Sequence, residues 1–138
     1  MVIAVDFDGT IVEDCYPEIG EPKIFAFETL VEIQKNNHQL ILWTTRTGER
    51  LEEAVAFCKK NGVEFYAVNA SYPEEKFENT ASRKINCEVF VSEKNITPNY
   101  VRSHSNYEIS ITQKSKVKEF FDKFHMINKE HTATEENN

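Results

Sequence analysis

Four short, predominantly apolar runs recur along the chain: VIAV at Val2 to Val5, LILW at Leu40 to Trp43, EFYAV at Glu64 to Val68 and CEVFV at Cys87 to Val91. Each is too short for a helix and lacks the strict alternation of a half-exposed strand, so each reads as a strand buried on both faces. Between the first two, Ile24, Phe27, Leu30, Val31 and Gln34 fall at helical spacing. Glu21-Pro22 suits the opening of that helix, since proline's missing donor is not needed at the first helical position, and Asn36-Asn37 ends it. Between the second and third runs, Glu49 to Asn61 is amphipathic, with Leu51, Ala54, Val55 and Cys58 inward and Gly62 as a C-terminal stop.

Residues 69 to 86 are polar and irregular, with one helical turn expected near Pro73. A weaker fifth strand, YEISI at Tyr107 to Ile111, would lie at a sheet edge. Val117, Phe120, Phe121, Phe124 and Ile127 mark a last helix, after which HTATEENN has nothing to bury. Strands alternating with helices argue for an α/β domain: a Rossmann-like parallel sheet with helices on both faces, over residues 1–130, with a disordered tail at 131–138. Trp43 and the helically spaced phenylalanines are expected in its core.

Composition narrows the function classes. The 138 residues fit one core, and 40 % apolar with 28 % charged residues is an ordinary globular balance. With 16 basic against 23 acidic residues, the net charge of −7 disfavours nucleic acid or an anionic membrane as partner. No run approaches the ~18 apolar residues of a membrane span, and no basic leader precedes the first strand, so a cytoplasmic location is expected. Cys15, Cys58 and Cys87 give neither a disulfide framework nor zinc spacing and read as reduced, core or half-buried residues. The histidines His38, His104, His125 and His131 share no ligand spacing and read as surface groups.

In an open parallel sheet, ligands bind outside the carboxyl ends of the strands. Those ends carry Asp6 and Asp8 after the first strand, Thr44, Thr45 and Arg46 after the second, and Ser92 and Glu93 after the fourth, with Lys84 shortly before it. Two carboxylates ~4 Å apart repel by about 4 kcal/mol at an effective dielectric near 20, which a bound cation or a shared proton would relieve. Magnesium, with its taste for oxygen ligands, water and phosphate, suits such a place. Two apart in an extended chain, Asp6 and Asp8 point to one side, and Gly9-Thr10 lets the backbone turn away.

DFDGT after an apolar strand resembles the first motif of the haloacid dehalogenase-like superfamily of phosphohydrolases, and such a string arises by chance in about one window in 10^5. LILWTTR is similar to the second motif and places Thr44; Lys84 stands where the third-motif lysine belongs. The likeness spans residues 1 to 111 and is nearest to small members without a cap domain. In the fourth motif an apolar strand is followed by two acids; here VFVSEKN offers Ser92 and Glu93, so one carboxylate is missing.

The resemblance implies a magnesium-dependent phosphatase. Asp6 would be the nucleophile, Asp8 the general acid and base, and Thr44, the Thr45 backbone N–H and Lys84 the phosphate ligands. Mg²⁺ would be held by Asp6, the backbone carbonyl of Asp8 and Glu93. Arg46 reads equally as a surface residue. With no lid in the short connections, the substrate is a phosphorylated small molecule or macromolecule, or the site is covered by a second copy in a homo-oligomer. The rival expectation, motivated by Ser92, is a degenerate module of the same fold that binds phosphate or a partner without turnover. A response-regulator receiver is disfavoured, because its third strand needs a phospho-accepting Asp and this one runs into Val68-Asn69-Ala70.

Overall fold

The computed structural model describes residues 1–78 and 82–94, together with the backbone of two strands, Asn99–Arg102 and Tyr107–Ser110. Four strands, β1 (Val2–Val5), β2 (Gln39–Leu42), β3 (Ala67–Val68) and β4 (Val89–Val91), form one parallel sheet in the order β3-β2-β1-β4. Two helices connect them, α1 (Ala26–Lys35) between β1 and β2 and α2 (Gly48–Lys60) between β2 and β3. The α/β architecture is compatible with a Rossmann-like fold.

Strand alternation divides the sheet into two faces. Ile3, Val5, Leu40, Leu42 and Val91 join Phe27, Leu30 and Ile33 of α1 and Ala54 and Cys58 of α2 in the main core. Ala4, Ile41 and Ala67 face the other way, against Ala70, Ile85 and the partly buried Phe90. Both described helices therefore cover the same face. Among the described residues the second face is covered by Ala70, Ile85 and Cys87, from the connection between β3 and β4, and not by a helix. The reason is topological: β1 to β2 to β3 advances in one direction, so two same-handed crossovers fall on one side. From β3 the chain returns past β1 to place β4 on the other edge. Strand order thus reverses beside β1, which makes the crevice between the ends of β1 and β4 the switch point.

Several local expectations are corrected. Helix α1 starts at Ala26, not at Pro22; Pro22 is exposed and forms an antiparallel bridge with Val12, and Ile24 is 75 % exposed. The bridge, with Glu13 N donating to Glu21 O (2.8 Å) and Lys23 N to Ile11 O (2.9 Å), holds this stretch extended. Trp43 lies just past β2, 38 % exposed, its ring 4.9 Å edge-on from Phe90. Strands β3 and β4 are shorter than their apolar runs. The Tyr107 strand does not join the main sheet; it pairs antiparallel with Asn99–Arg102. Near Pro73 there is a turn, closed by Glu75 N on Tyr72 O at 3.1 Å, and no helix. Cys15 is exposed, whereas Cys58 is buried and its thiol is pushed up to about 12 by that burial. The expected last helix and tail lie outside the described residues. No helix among the described residues is long and apolar enough to cross a membrane.

Candidate functional site

After Val5 the chain stays tied to β4 for one more residue, Asp6 N donating to Val91 O at 2.9 Å, and then turns through Gly9 at φ 80°. The turn is closed by Ile11 N on Phe7 O at 2.9 Å and Gly9 N on Val12 O at 2.8 Å. The side chain of Glu93 rests where a Cβ on Gly9 would lie, so glycine serves both the backbone angle and the approach of the acid. Thr10 is fully buried, and its hydroxyl accepts the Glu93 N–H at 3.0 Å. The two ends of the DFDGT segment thereby fasten the loop after β4.

Asp6 is half-buried. One carboxylate oxygen accepts the Phe7 N–H at 2.8 Å and the other the Ser92 hydroxyl at 2.9 Å. Burial pushes its carboxyl above the ordinary value, against the lowering pull of the Ser92 and Phe7 hydrogen bonds and the charge of Lys94. Among the described residues it has no ion-pair partner within 4 Å. Ser92 in turn accepts the Lys94 N–H at 3.1 Å, so the serine bridges Asp6 and the loop beyond β4.

Asp8 lives in a different environment. Arg46 Nε donates to one of its oxygens and Nη2 to the other, each at 2.7 Å, a bidentate fork with the arginine side chain fully buried. The remaining donors reach the carbonyls of Pro17 (Nη1, 3.1 Å) and Glu18 (Nη2, 2.8 Å). The guanidinium also lies 5.1 Å from the ring centroids of both Phe7 and Tyr16. Its hydrogen bond to Asp8 holds it more firmly protonated than usual, in spite of burial. The surface role considered for Arg46 is therefore corrected: it is the largest fully buried side chain among the described residues. The sequence offered one signal, its place two residues after Thr44 at a strand end, but nothing that named Asp8, 38 positions away, as its partner.

Thr44 and Asn69 stand at neighbouring strand ends. The Thr44 N–H donates to Asn69 Oδ1 at 2.7 Å, and the Thr44 hydroxyl accepts the Arg46 N–H at 3.2 Å. That hydroxyl keeps its own hydrogen to donate, and Thr45 beside it is exposed. Lys84 is exposed on the loop before β4, its N–H on Ser82 Oγ at 3.2 Å. The lysine whose charge reaches Asp6 is Lys94, in the loop after β4.

Asp6, Asp8, Thr44 and Glu93 are thus gathered at the carboxyl ends of β1, β2 and β4. No family model matches the chain, and no curated protein does. A solved structure, that of a conserved protein from Bacteroides thetaiotaomicron, is similar to it at 53 % sequence identity and TM-score 0.65, covering 69 % of this chain and 77 % of that one. The chain belongs to that protein's family. The likeness carries the fold and brings no activity with it.

The donors can be tested against a divalent cation. The Asp6 and Glu93 carboxylates and the Asp8 carbonyl are hard oxygen ligands of the kind magnesium takes, and they would leave it several waters. The Asp8 side chain is committed to Arg46, and Ser92 adds no charge. Among the described residues no three acidic, histidine or cysteine side chains gather into one metal-holding group. As a donor set, two carboxylates and a carbonyl fit Mg²⁺ and would leave the rest of its coordination to water or a ligand.

Proposed function

We propose that the chain is a capless phosphohydrolase of the haloacid dehalogenase-like kind, cleaving phosphomonoesters through an aspartyl-phosphate on Asp6. The observation that carries this reading is the state of Asp6: a half-buried carboxylate, without an ion-pair partner among the described residues, at the end of an interior parallel strand beside the switch point. A structural acid at that depth would be neutralised by a cation, as Asp8 is by Arg46.

In the proposed reaction an Asp6 oxygen attacks phosphorus, the phosphorus–oxygen ester bond breaks, and the alcohol leaves with a proton. Water then attacks the aspartyl-phosphate, giving inorganic phosphate and free Asp6. Asp8 would transfer the protons in both halves. Both Asp8 oxygens are engaged by Arg46, so esters of acidic alcohols, which need least protonation on leaving, are the best substrates. The Thr44 hydroxyl and the Thr45 N–H would hold phosphoryl oxygens, with Lys94 or Lys84 supplying the cation. When bound by Asp6, the Asp8 carbonyl and Glu93, magnesium would neutralise and orient the phosphoryl group.

Hydrolysis of p-nitrophenyl phosphate by the purified chain, with Mg²⁺ and with chelator, tests the reading. Metal-dependent turnover that Asp6→Asn removes supports it; turnover that survives the substitution overturns it. Ser92 and the Asp8–Arg46 fork favour the second reading, a phosphate-binding module without turnover. For that reading the wild type would bind inorganic phosphate and release none from the ester at any Mg²⁺ concentration.

A further inference from the structure

A cavity of about 420 Å³ opens on the face of the sheet away from α1 and α2, lined by Trp43, Thr44, Asn69, Phe77, Arg83 and Ile85 among others. It falls within the size range of small-molecule sites. Its wall begins at Thr44, and Trp43 N donates to Val5 O at 2.9 Å, so the cavity edge and Asp6 sit on adjacent strand ends. Strands lie only ~4.8 Å apart, so a group joined to a phosphate at Asp6 reaches the cavity directly.

The lining is chemically particular. Trp43 and Phe77 are 38 % and 52 % exposed, large aromatic surfaces left open beside polar groups. Asn69 spends its side-chain carbonyl on the Thr44 N–H, and its NH₂ donates to nothing among the described residues. Arg83 has no ion-pair partner among them either. Aromatic faces with unspent donors along one side match a flat ring with acceptor atoms at its edge.

Resting on the phosphohydrolase reading, we propose that this cavity is the leaving-group subsite, and that the substrates are phosphate esters whose alcohol carries a planar aromatic ring. Trp43 is the sole tryptophan of the chain, so its emission reports the subsite without any chemistry. The test titrates the full-length protein, in chelator, with phenyl phosphate, adenosine monophosphate, glycerol phosphate and inorganic phosphate. Saturable changes in emission are expected for the two aromatic esters, at affinities roughly fivefold or more above glycerol phosphate, the size of one aromatic contact. Phe77→Ala, at an exposed position, should erase that advantage while leaving inorganic phosphate binding as it was.

The two aromatic probes separate the sources of the ring: tighter adenosine monophosphate points to a polar-edged base, tighter phenyl phosphate to a simple aryl group. Equal binding of glycerol phosphate and the aromatic esters, an aromatic preference that Phe77→Ala does not touch, or no saturable change with any aromatic ester would each overturn the proposal. An aromatic preference in a protein that hydrolyses none of the esters would keep the subsite and remove the hydrolase.

Discussion

Asp6 and Asp8 are two residues apart at one strand end, yet their surroundings push them toward different work. Desolvation raises the Asp6 carboxyl above its ordinary value, so the folded protein holds that proton more tightly than the unfolded chain. Stability therefore falls as pH rises from the unfolded value through the folded one. Asp6→Asn should abolish turnover, a loss on the order of 10^3 or more. It should also raise the melting temperature at neutral pH in metal-free buffer, with the gain shrinking as acid protonates Asp6 in the wild type. A neutral-pH melting temperature at or below that of the wild type would contradict the desolvation account. Arg46→Met should cost about 3–5 kcal/mol in denaturant unfolding, because the Asp8 carboxylate would lose both arms of its fork. Ser92→Asp would restore the missing charge next to Asp6. A Mg²⁺ titration of activity, or of melting temperature, should shift to lower concentration by about 1–2 kcal/mol, roughly five- to thirtyfold. An unchanged titration would place the metal away from β4.

At the scale of elements, what the sequence disclosed followed local periodicity, and what it hid depended on distant partners. The apolar cores of β1, β2 and β4 and the stripe of α2 announced themselves, since each repeats over a few adjacent positions. The start of α1 did not: proline at 22 suits a first helical turn, but the bridge from Val12 claims it for an extended segment. Strand ends were legible from the apolar runs, so the gathering of Asp6, Asp8, Thr44 and Glu93 at one edge of the sheet could be expected in advance. The Arg46 fork and the proximity of Lys94 could not, because charge pairing leaves no period in the chain. Asn69 belongs to this hidden set. It ends β3 at φ 49°, where asparagine is tolerated, and caps Thr44 with its side chain. Asn69→Gly should lose about 1 kcal/mol, the hydrogen bond alone, and Asn69→Ala about 1 kcal/mol more for the backbone angle. Equal unfolding midpoints for the two variants would deny any cost to that angle.

For the molecule as a whole, the order β3-β2-β1-β4 brings three strand ends to one crevice while both described helices stay on a single face. The segment from Glu13 to Glu18 crosses near that crevice with every residue exposed, yet it is anchored from beneath by Arg46 through the Pro17 and Glu18 carbonyls. A protease needs several residues of pliant backbone, and exposure alone does not supply them. The native chain should therefore resist cutting here even though Tyr16 presents 61 % of its surface. In Arg46→Met the same loop should become the first point of cleavage by a glutamate-specific protease within residues 1–78, with fragments ending at Glu13 or Glu18. The arginine that holds Asp8 would then also be what keeps a fully exposed loop from digestion.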